Sequence, residues 1–442
     1  MTVTAPEKTK TKAPIISWAF WDWGSASFNA VLVTFIFSVY LTESVGATLP
    51  AGSNATSLYS GAVAIAGVIV ALVAPVMGRR SDIRGTRRKS LRLWTLVTIF
   101  LMFCLFAVKN TDPNYFWLGV LLMALGNIAF EFAEVQYYAQ LGQISNRNNV
   151  GRISGFGWSM GYFGGIILLL ACYFGFVAGE GETRGLLNLP EAEGFNIRMV
   201  ALFAALWFLV SAIPALLRVP EIPAQVEAQA QPKGIIAAYA DLFQQIKQLW
   251  KRDLNSVFFL IAAAVFRDGL AGVFTFGAIL AVSVYGLSAG DVLLFGVAAN
   301  VISALGAILG GFLDDKIGPK PIIIGSLLLM IIDAVVLYFV SGPVNFWIFG
   351  LILCAFVGPA QSASRSFLTR LSPDGQEGQL FGLYATAGRA VSWISPALFG
   401  IFVALSGTDR TGVLAIALVL LLGMVLLLWV KPPTAAQELS LD

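Results

Sequence analysis

The sequence predicts an all-α integral membrane protein in which twelve transmembrane helices form two pseudo-symmetric six-helix bundles. Three observations lead there. Of the 442 residues, 57% are hydrophobic and only 12% charged, where a soluble domain carries about 25% charged residues. Apolar runs of the roughly 20 residues that cross a bilayer follow one another from Trp18 to Val430 with short polar breaks between them. The second half of the chain also repeats features of the first at equivalent positions. Lipid gives the backbone no hydrogen-bond partners, and the runs are too long for the alternating strands of a barrel, so each is read as a helix.

The elements follow in order. Residues 1–15 are expected to be a disordered cytoplasmic tail, because Met1 to Lys12 lacks the apolar core and small-residue cleavage site of a secretory signal. An N-terminal bundle over 16–218 holds spans at 16–41, 57–77, 91–109, 114–141, 153–178 and 197–217. The first carries Trp18, Asp22, Ser25 and Asn29 at helical spacing on one face, and the fourth carries Asn127, Glu131, Glu134 and Tyr138 in the same way. The fifth has glycines every four residues, Gly157, Gly161 and Gly165, which let another helix pack closely. Residues 219–253 form a cytoplasmic linker that opens Pro/Ala/Gln-rich. It continues as an amphipathic helix with Ile235, Tyr239, Leu242, Ile246 and Leu249 on one face and Lys247, Lys251 and Arg252 supplying charge, suited to the inner leaflet. A C-terminal bundle over 254–430 holds spans at 254–285, 290–312, 320–341, 344–367, 378–405 and 411–430. The seventh carries Arg267 and Asp268, the ninth Asp333, the tenth Gln361 and Arg365 near its inner end, and the eleventh Arg389. A cytoplasmic tail, 431–442, closes the chain.

Orientation follows from charge. The 28 Lys and Arg residues gather at one face, except Lys109, Arg184, Arg198 and Arg410 on the other and Arg267 and Arg389 inside spans. Positive charge marks the cytoplasmic side, which places both termini there. Cys104, Cys172 and Cys354 all fall in apolar runs, where core packing is the expected role. The sequence has no histidine, so carboxylates are left to carry any proton coupling. Asn54-Ala-Thr56 matches a glycosylation acceptor on the outer side, and the acidic segment from Ala178 to Arg198 reads as a solvated loop.

A charge at the bilayer centre is unfavourable by at least about 2.5–3.5 kcal/mol, so each intramembrane ionisable residue calls for a partner or a function. Glu131 and Glu134 lie one helical turn apart and repel each other, which suits one of them to proton exchange. Arg389 can pair with one of the two and Arg267 with a carboxylate of the opposite half. Arg267 and Asp268 point about 100° apart and do not satisfy each other. Asp333 is expected in a structural pairing. Buried ion pairs that fix packing are the alternative reading for Glu131, Glu134 and Arg389.

The repeat has two parts. Gly78, Asp82 and Gly85 after the second span match Gly311, Asp315 and Gly318 after the eighth, each set followed by basic residues, Arg87 and Arg88 among them. Gly151, Gly155 and Gly161 match Gly378, Gly382 and Gly388 at one constant offset. The loop from Gly78 to Lys89 resembles the signature between the second and third helices of the major facilitator superfamily, and its copy sits where that fold repeats it. The resemblance implies a cytoplasmic gate: glycine for close approach, aspartate to accept hydrogen bonds at the N-terminal end of a neighbouring helix, basic residues to anchor the inner face. Trp18 to Asn29, Arg152 to Gly165, Arg267-Asp268-Gly269, Gln361 to Ser366 and Phe381 to Tyr384 resemble the vacuole effluxer branch, which implies export of small solutes such as amino acids. The first span departs from that branch, reading Trp21-Asp22-Trp23-Gly24-Ser25.

The expected function is a secondary active transporter working by alternating access, with proton-coupled efflux of a small solute. Asp22, Asn29, Asn127, Glu131, Glu134, Arg267, Asp268, Gln361, Arg365 and Arg389 are the candidate substrate and proton residues. No cofactor, metal or nucleic acid is expected. The partners are the solute, protons and the bilayer, and the chain is expected to be a monomer in the cell membrane, or in a vacuolar or lysosomal membrane of a eukaryote. The alternatives are a receptor or scaffold with the same fold and a membrane-embedded lipid enzyme, for which the sequence offers no His, paired Cys or P-loop.

Overall fold

In the computed structural model the described residues are 12–179, 182–223, 244, 247, 250–251 and 253–432. The apolar face of the linker helix, Arg252 and most of both tails lie outside them. Twelve helices are long and apolar enough to cross a membrane: α1 Ala13–Thr48, α2 Ala55–Arg84, α3 Arg87–Ala107, α4 Pro113–Ile144, α5 Val150–Val177, α6 Ala192–Arg218, α7 Leu254–Ser283, α8 Leu294–Ile317, α9 Pro319–Phe339, α10 Pro343–Leu371, α11 Glu377–Ser406 and α12 Asp409–Leu428. A two-residue antiparallel pairing, Thr183–Arg184 with Leu189–Pro190, decorates the segment between α5 and α6.

The boundaries differ from the apolar runs where it matters. α2 continues seven residues past the expected end and α8 five, so Gly78, Asp82, Gly311 and Asp315 lie within the last turns of helices, not in loops. Hydropathy measures what lipid tolerates, whereas the helix continues as long as its hydrogen bonds do. Gly85 and Gly318 then stop the helices, with φ of 61° and 85°, values that only glycine adopts readily. Starts are capped: Asn54 accepts from the Ser57 N–H, Asp112 from Asn114, and Asp253 from Ser256.

Three helices carry irregular winding or a break that no periodicity foretells, among them α5, π-wound over Tyr173–Val177. α1 winds as π-helix over Ser27–Phe35 and Tyr40–Val45. α11 breaks at Ser392 and Trp393 into Glu377–Val391 and Ile394–Ser406.

Packing divides the helices into halves. α1 lies against α5 and α6, and α4 against α2 and α3; correspondingly, α7 lies against α11 and α12, and α10 against α8 and α9. Between the halves, α2 packs on α11 and α5 on α8, while α4 meets α11 and α5 meets α10. The pattern is unchanged when helix numbers are exchanged by six, which is the pseudo-twofold symmetry of a duplicated bundle.

Aromatic stacking holds the first half together. Trp18 and Trp21 stack on Tyr137 with centroids 4.4 and 4.3 Å apart. Their buried indole N–H groups donate to the Tyr137 carbonyl and to Thr95 Oγ1, as buried tryptophans usually do. The cysteines are free, with Cys172 and Cys354 buried.

Candidate functional site

The face that carries Lys12 and Lys431, the first and last described lysines, is here called the terminal face. The two halves are closed at it by a pair of matching contacts. Asp82 on α2 accepts from the Gly378 and Gln379 N–H groups at the start of α11, at 3.1 and 2.8 Å. Asp315 on α8 accepts from the Gly151 and Arg152 N–H groups at the start of α5, at 2.8 and 3.2 Å. Each carboxylate sits where the unsatisfied N–H groups and dipole of a helix N-terminus favour negative charge.

Glycine makes both contacts possible. A Cβ on Gly78 would lie 2.0 Å from the Gly378 carbonyl oxygen, and one on Gly155 2.2 Å from that of Ala307. Ion pairs reinforce them, buried except for the exposed Arg152 side chain. Arg87, wholly buried, bridges Asp82 at 2.6 Å and Glu377 of the other half at 2.5 Å. Arg370 holds Asp314 at 3.0 Å, and Arg152 holds Asp315 at 2.7 Å.

Arg88 departs from its expected place in the gate. Its guanidinium donates to the carbonyls of Leu217 and Val219 at the end of α6, within its own half. It therefore ties α3 to α6, because orphan carbonyls at a helix C-terminus attract cations. Gly85 and Gly318 shape turns rather than the contact between halves.

At mid-membrane, a pocket of about 220 Å³ lies between α4, α7 and α11. Glu131, Glu134, Arg267, Asp268 and Arg389 all line it, together with Tyr138 and Tyr384. Glu131 of one half pairs directly with Arg389 of the other, and Asn127 accepts from the same guanidinium at 3.4 Å. Arg267 takes no carboxylate among the described residues. It lies over the Tyr384 ring at 3.9 Å, so the cross-half pairing expected for it is replaced by a cation–π contact within its own half.

Asp268 accepts the Ser395 N–H at 2.6 Å, capping the half-helix that begins after the break in α11. Such discontinuous helices at the midplane leave backbone groups that a transporter uses for binding.

Asp22 and Arg365 form a separate cluster. Arg365, 1% exposed, reaches from α10 into the opposite half, where Asp22 Oδ2 lies 3.7 Å away and Tyr137 donates to Asp22 at 3.3 Å. Gln361 accepts from Tyr162 at 2.8 Å. The glycine ladder packs on α1: a Cβ on Gly157 would stand 2.6 Å from the Trp18 ring, and one on Gly161 3.3 Å from Asp22 Oδ1. Asn29 is exposed on the π-wound stretch and lines neither cluster. Asp333 corrects another expectation. It is buried but makes no ion pair among the described residues, and its Oδ2 has no hydrogen-bond partner, because no basic side chain on its neighbours reaches it.

On the face opposite the terminal face, a cavity of about 930 Å³ separates α1, α5 and α6 of one half from α8 of the other, with Phe35, Val39, Tyr173 and Asn300 on its walls. The halves therefore meet at the terminal end and part at the other.

Residues that the sequence reading passed over include Glu377, Arg370, Asp314, Ser154 and Trp158. Glu377 could have been found, since it directly precedes Gly378 of the repeat. Asp314 and Ser154 carry the same signal, directly preceding Asp315 and Gly155 of the repeat; Arg370 and Trp158 carry no local signal of their role.

Paired half-bundles related in this way are the fold of the major facilitator superfamily, and solved structures of that superfamily share the architecture. The proton:xylose symporter XylE superposes with a TM-score of 0.73 at 14% identity, over 95% of this chain and 96% of that one. The outward conformation of FucP gives 0.68 at 14% identity, over 96% and 100%. A bacterial homologue of ferroportin in an outward-facing state gives 0.66 at 13%, over 94% and 98%.

The chain belongs to the family described as Vacuole effluxer Atg22 like, whose profile matches residues 42–440. The MFS-type transporter YxiO of Bacillus subtilis is 23% identical over 426 residues, 95% of each chain. Autophagy-related protein 22-1 of Neosartorya fischeri is 26% identical over 303 residues, 63% of this chain and 48% of that protein, so the match spans about half the fungal relative. The protein is a transporter, not an enzyme.

Proposed function

We propose that this chain is a proton-coupled exporter of small solutes, amino acids among them, that works by alternating access as a monomer, with the terminal face in the cytoplasm. The membrane is the cell membrane, or the vacuolar or lysosomal membrane in a eukaryote. The observation that carries the reading is the Glu131–Arg389 pair, which joins the two halves across the central pocket with Glu134 one turn away. Rocking the halves apart at the terminal face would part that pair and expose Glu131 and Glu134 to the other compartment, which is how a carboxylate can trade a proton for a conformational step. Asp268 at the break in α11 would help to bind the solute. Asp82 and Asp315 are the latches that hold the terminal face shut.

The test is flux in proteoliposomes driven by an imposed pH gradient, with a metabolite mixture as the load. Glu131→Gln and Arg389→Ala are expected to abolish gradient-driven flux while the protein still inserts. Wild-type flux in both variants would overturn the coupling assignment. The orientation is tested separately: a cysteine replacing exposed Leu187, between α5 and α6, should react with an impermeant maleimide added outside intact cells, and one replacing Asn148 should not.

A further inference from the structure

Apart from Tyr138, which also lines the central pocket, the Arg365 cluster belongs neither to the latch nor to that pocket, and its construction is that of a binding site. The guanidinium lies over four rings, with its carbon 4.9 Å from the Trp18 centroid, 5.1 Å from Tyr138, 5.5 Å from Trp158 and 5.7 Å from Tyr137. Its Nε donates to Ser154 Oγ at 3.0 Å and its Nη2 to the Ser154 carbonyl at 2.6 Å. Nη1 makes no hydrogen bond and faces Asp22 across 3.7 Å. Rings, carboxylate and serine all belong to α1, α4 and α5, whereas the cation is carried in on α10 from the other half. The cage is complete without its occupant. Aromatic faces around a carboxylate are the general solution for holding an organic cation out of water. Gly157 keeps the space open, since a Cβ there would stand 2.9 Å from Arg365 Nη2.

We infer that this cage is a site for an organic cation, a guanidinium or alkylammonium head group, which Arg365 occupies as a tethered plug while the terminal face is closed and vacates when it opens. The emptying step rests on the alternating-access reading; the existence of the site does not. Tyr138 lines both the central pocket and the cage, so the cage lies beside the route from the pocket to the terminal face. A solute bearing such a head group would meet Asp22 and the rings after leaving the pocket. Return of Arg365 would then expel it, because one cage cannot hold two cations.

The probe is guanidinium chloride at millimolar concentration, with urea as the neutral molecule of the same shape. Binding to purified protein is read by intrinsic tryptophan fluorescence, to which Trp18 and Trp158 report directly, and by the thermal unfolding midpoint. Arg365→Ala should gain a saturable response to guanidinium and none to urea, and adding Asp22→Asn should weaken the affinity at least about tenfold. Arg365→Ser serves if the alanine variant does not fold. The latch variant Asp82→Asn/Asp315→Asn, with Arg365 intact, should bind guanidinium more tightly than the wild type. Equal responses to urea, affinity unchanged by Asp22→Asn, or no saturable response in either Arg365 variant would overturn the site. Binding by Arg365→Ala without any gain in the latch variant would overturn its emptying.

Discussion

Replacing Asp82 by asparagine tests the latch at the point where its energy can be estimated. The carboxylate accepts two N–H groups of the opposite half, from Gly378 and Gln379. Hydrogen bonds to a charged group contribute about 1.5–3 kcal/mol each. Asparagine keeps one acceptor oxygen and loses the charge at the helix N-terminus, so the closed state should lose about 2 kcal/mol relative to the open one, a shift of about 30-fold. An open fraction of about 1% would rise to about 25%. Asp315 makes the equivalent contact on the other side of the bundle, bonding Gly151 and Arg152. The two sites share no partner, so Asp82→Asn/Asp315→Asn should act additively and make the open state dominant. The readout is the distance between spin labels on cysteines at Asn148 and Pro373, exposed positions on the terminal face of opposite halves, with Cys104, Cys172 and Cys354 replaced by alanine. A longer-distance population should grow from the single to the double variant. A distance distribution identical to wild type in the double variant would refute the reasoning, since neither carboxylate would then hold the halves together.

Three further outcomes are expected. Gly155→Ala places a Cβ 2.2 Å from the Ala307 oxygen, against backbone that cannot yield, so the same spin-label distance should lengthen; an unchanged distribution would show that α5 and α8 do not need this approach. Asp268→Asn removes the charge that caps the second half of α11 and should lower stability by about 1 kcal/mol, read as a lower unfolding midpoint, with Asp268→Ala lower still; equal midpoints in all three proteins would remove the cap from the account. Arg389→Ala strands Glu131 without its partner, whereas Glu131→Gln/Arg389→Gln removes both charges, so the double variant should unfold at a higher temperature than Arg389→Ala alone; the reverse order would mean that the pair is not coupled.

The repeat was the most legible feature of the sequence because it is local. Gly78 and Asp82 are four residues apart, as are Gly311 and Asp315, and the glycines that receive them repeat at one offset. The central pocket was legible in part, since Glu131, Glu134, Asp268 and Arg389 are charges in apolar runs and lipid leaves such groups few places to go. The partner of Asp22 was not legible. Arg365 is separated from it by most of the chain, and the rings around the guanidinium come from three helices whose aromatic residues look like ordinary core. Arg267 misled for a related reason: a buried cation suggests a carboxylate, but the Tyr384 ring meets the same need. The break in α11 was marked by Pro396, which cannot donate to the Ser392 carbonyl four residues earlier, a signal the sequence reading passed over; the π-winding of α1 arises in a stretch whose composition would equally suit a straight helix.

The three layers of charge between the halves share a physical logic. Arg87 with Glu377, Arg365 with Asp22 and Arg389 with Glu131 each place a cation on one half and a carboxylate on the other. Well-packed apolar side chains would bind the halves at least as firmly, because a buried ion pair must offset the desolvation of both charges. An apolar seam, however, would resist hydration when opened, whereas separated charges are taken up by water or by a bound solute. In the proposed alternating-access cycle, ion pairs would keep the closed and open states close in free energy, a balance that an interface formed and broken in each turn needs more than strength. Of the three layers, the pair at Arg365 is the most enclosed by rings and has the weakest direct contact, 3.7 Å without a hydrogen bond. It is the layer at which an outside cation competes on the most even terms.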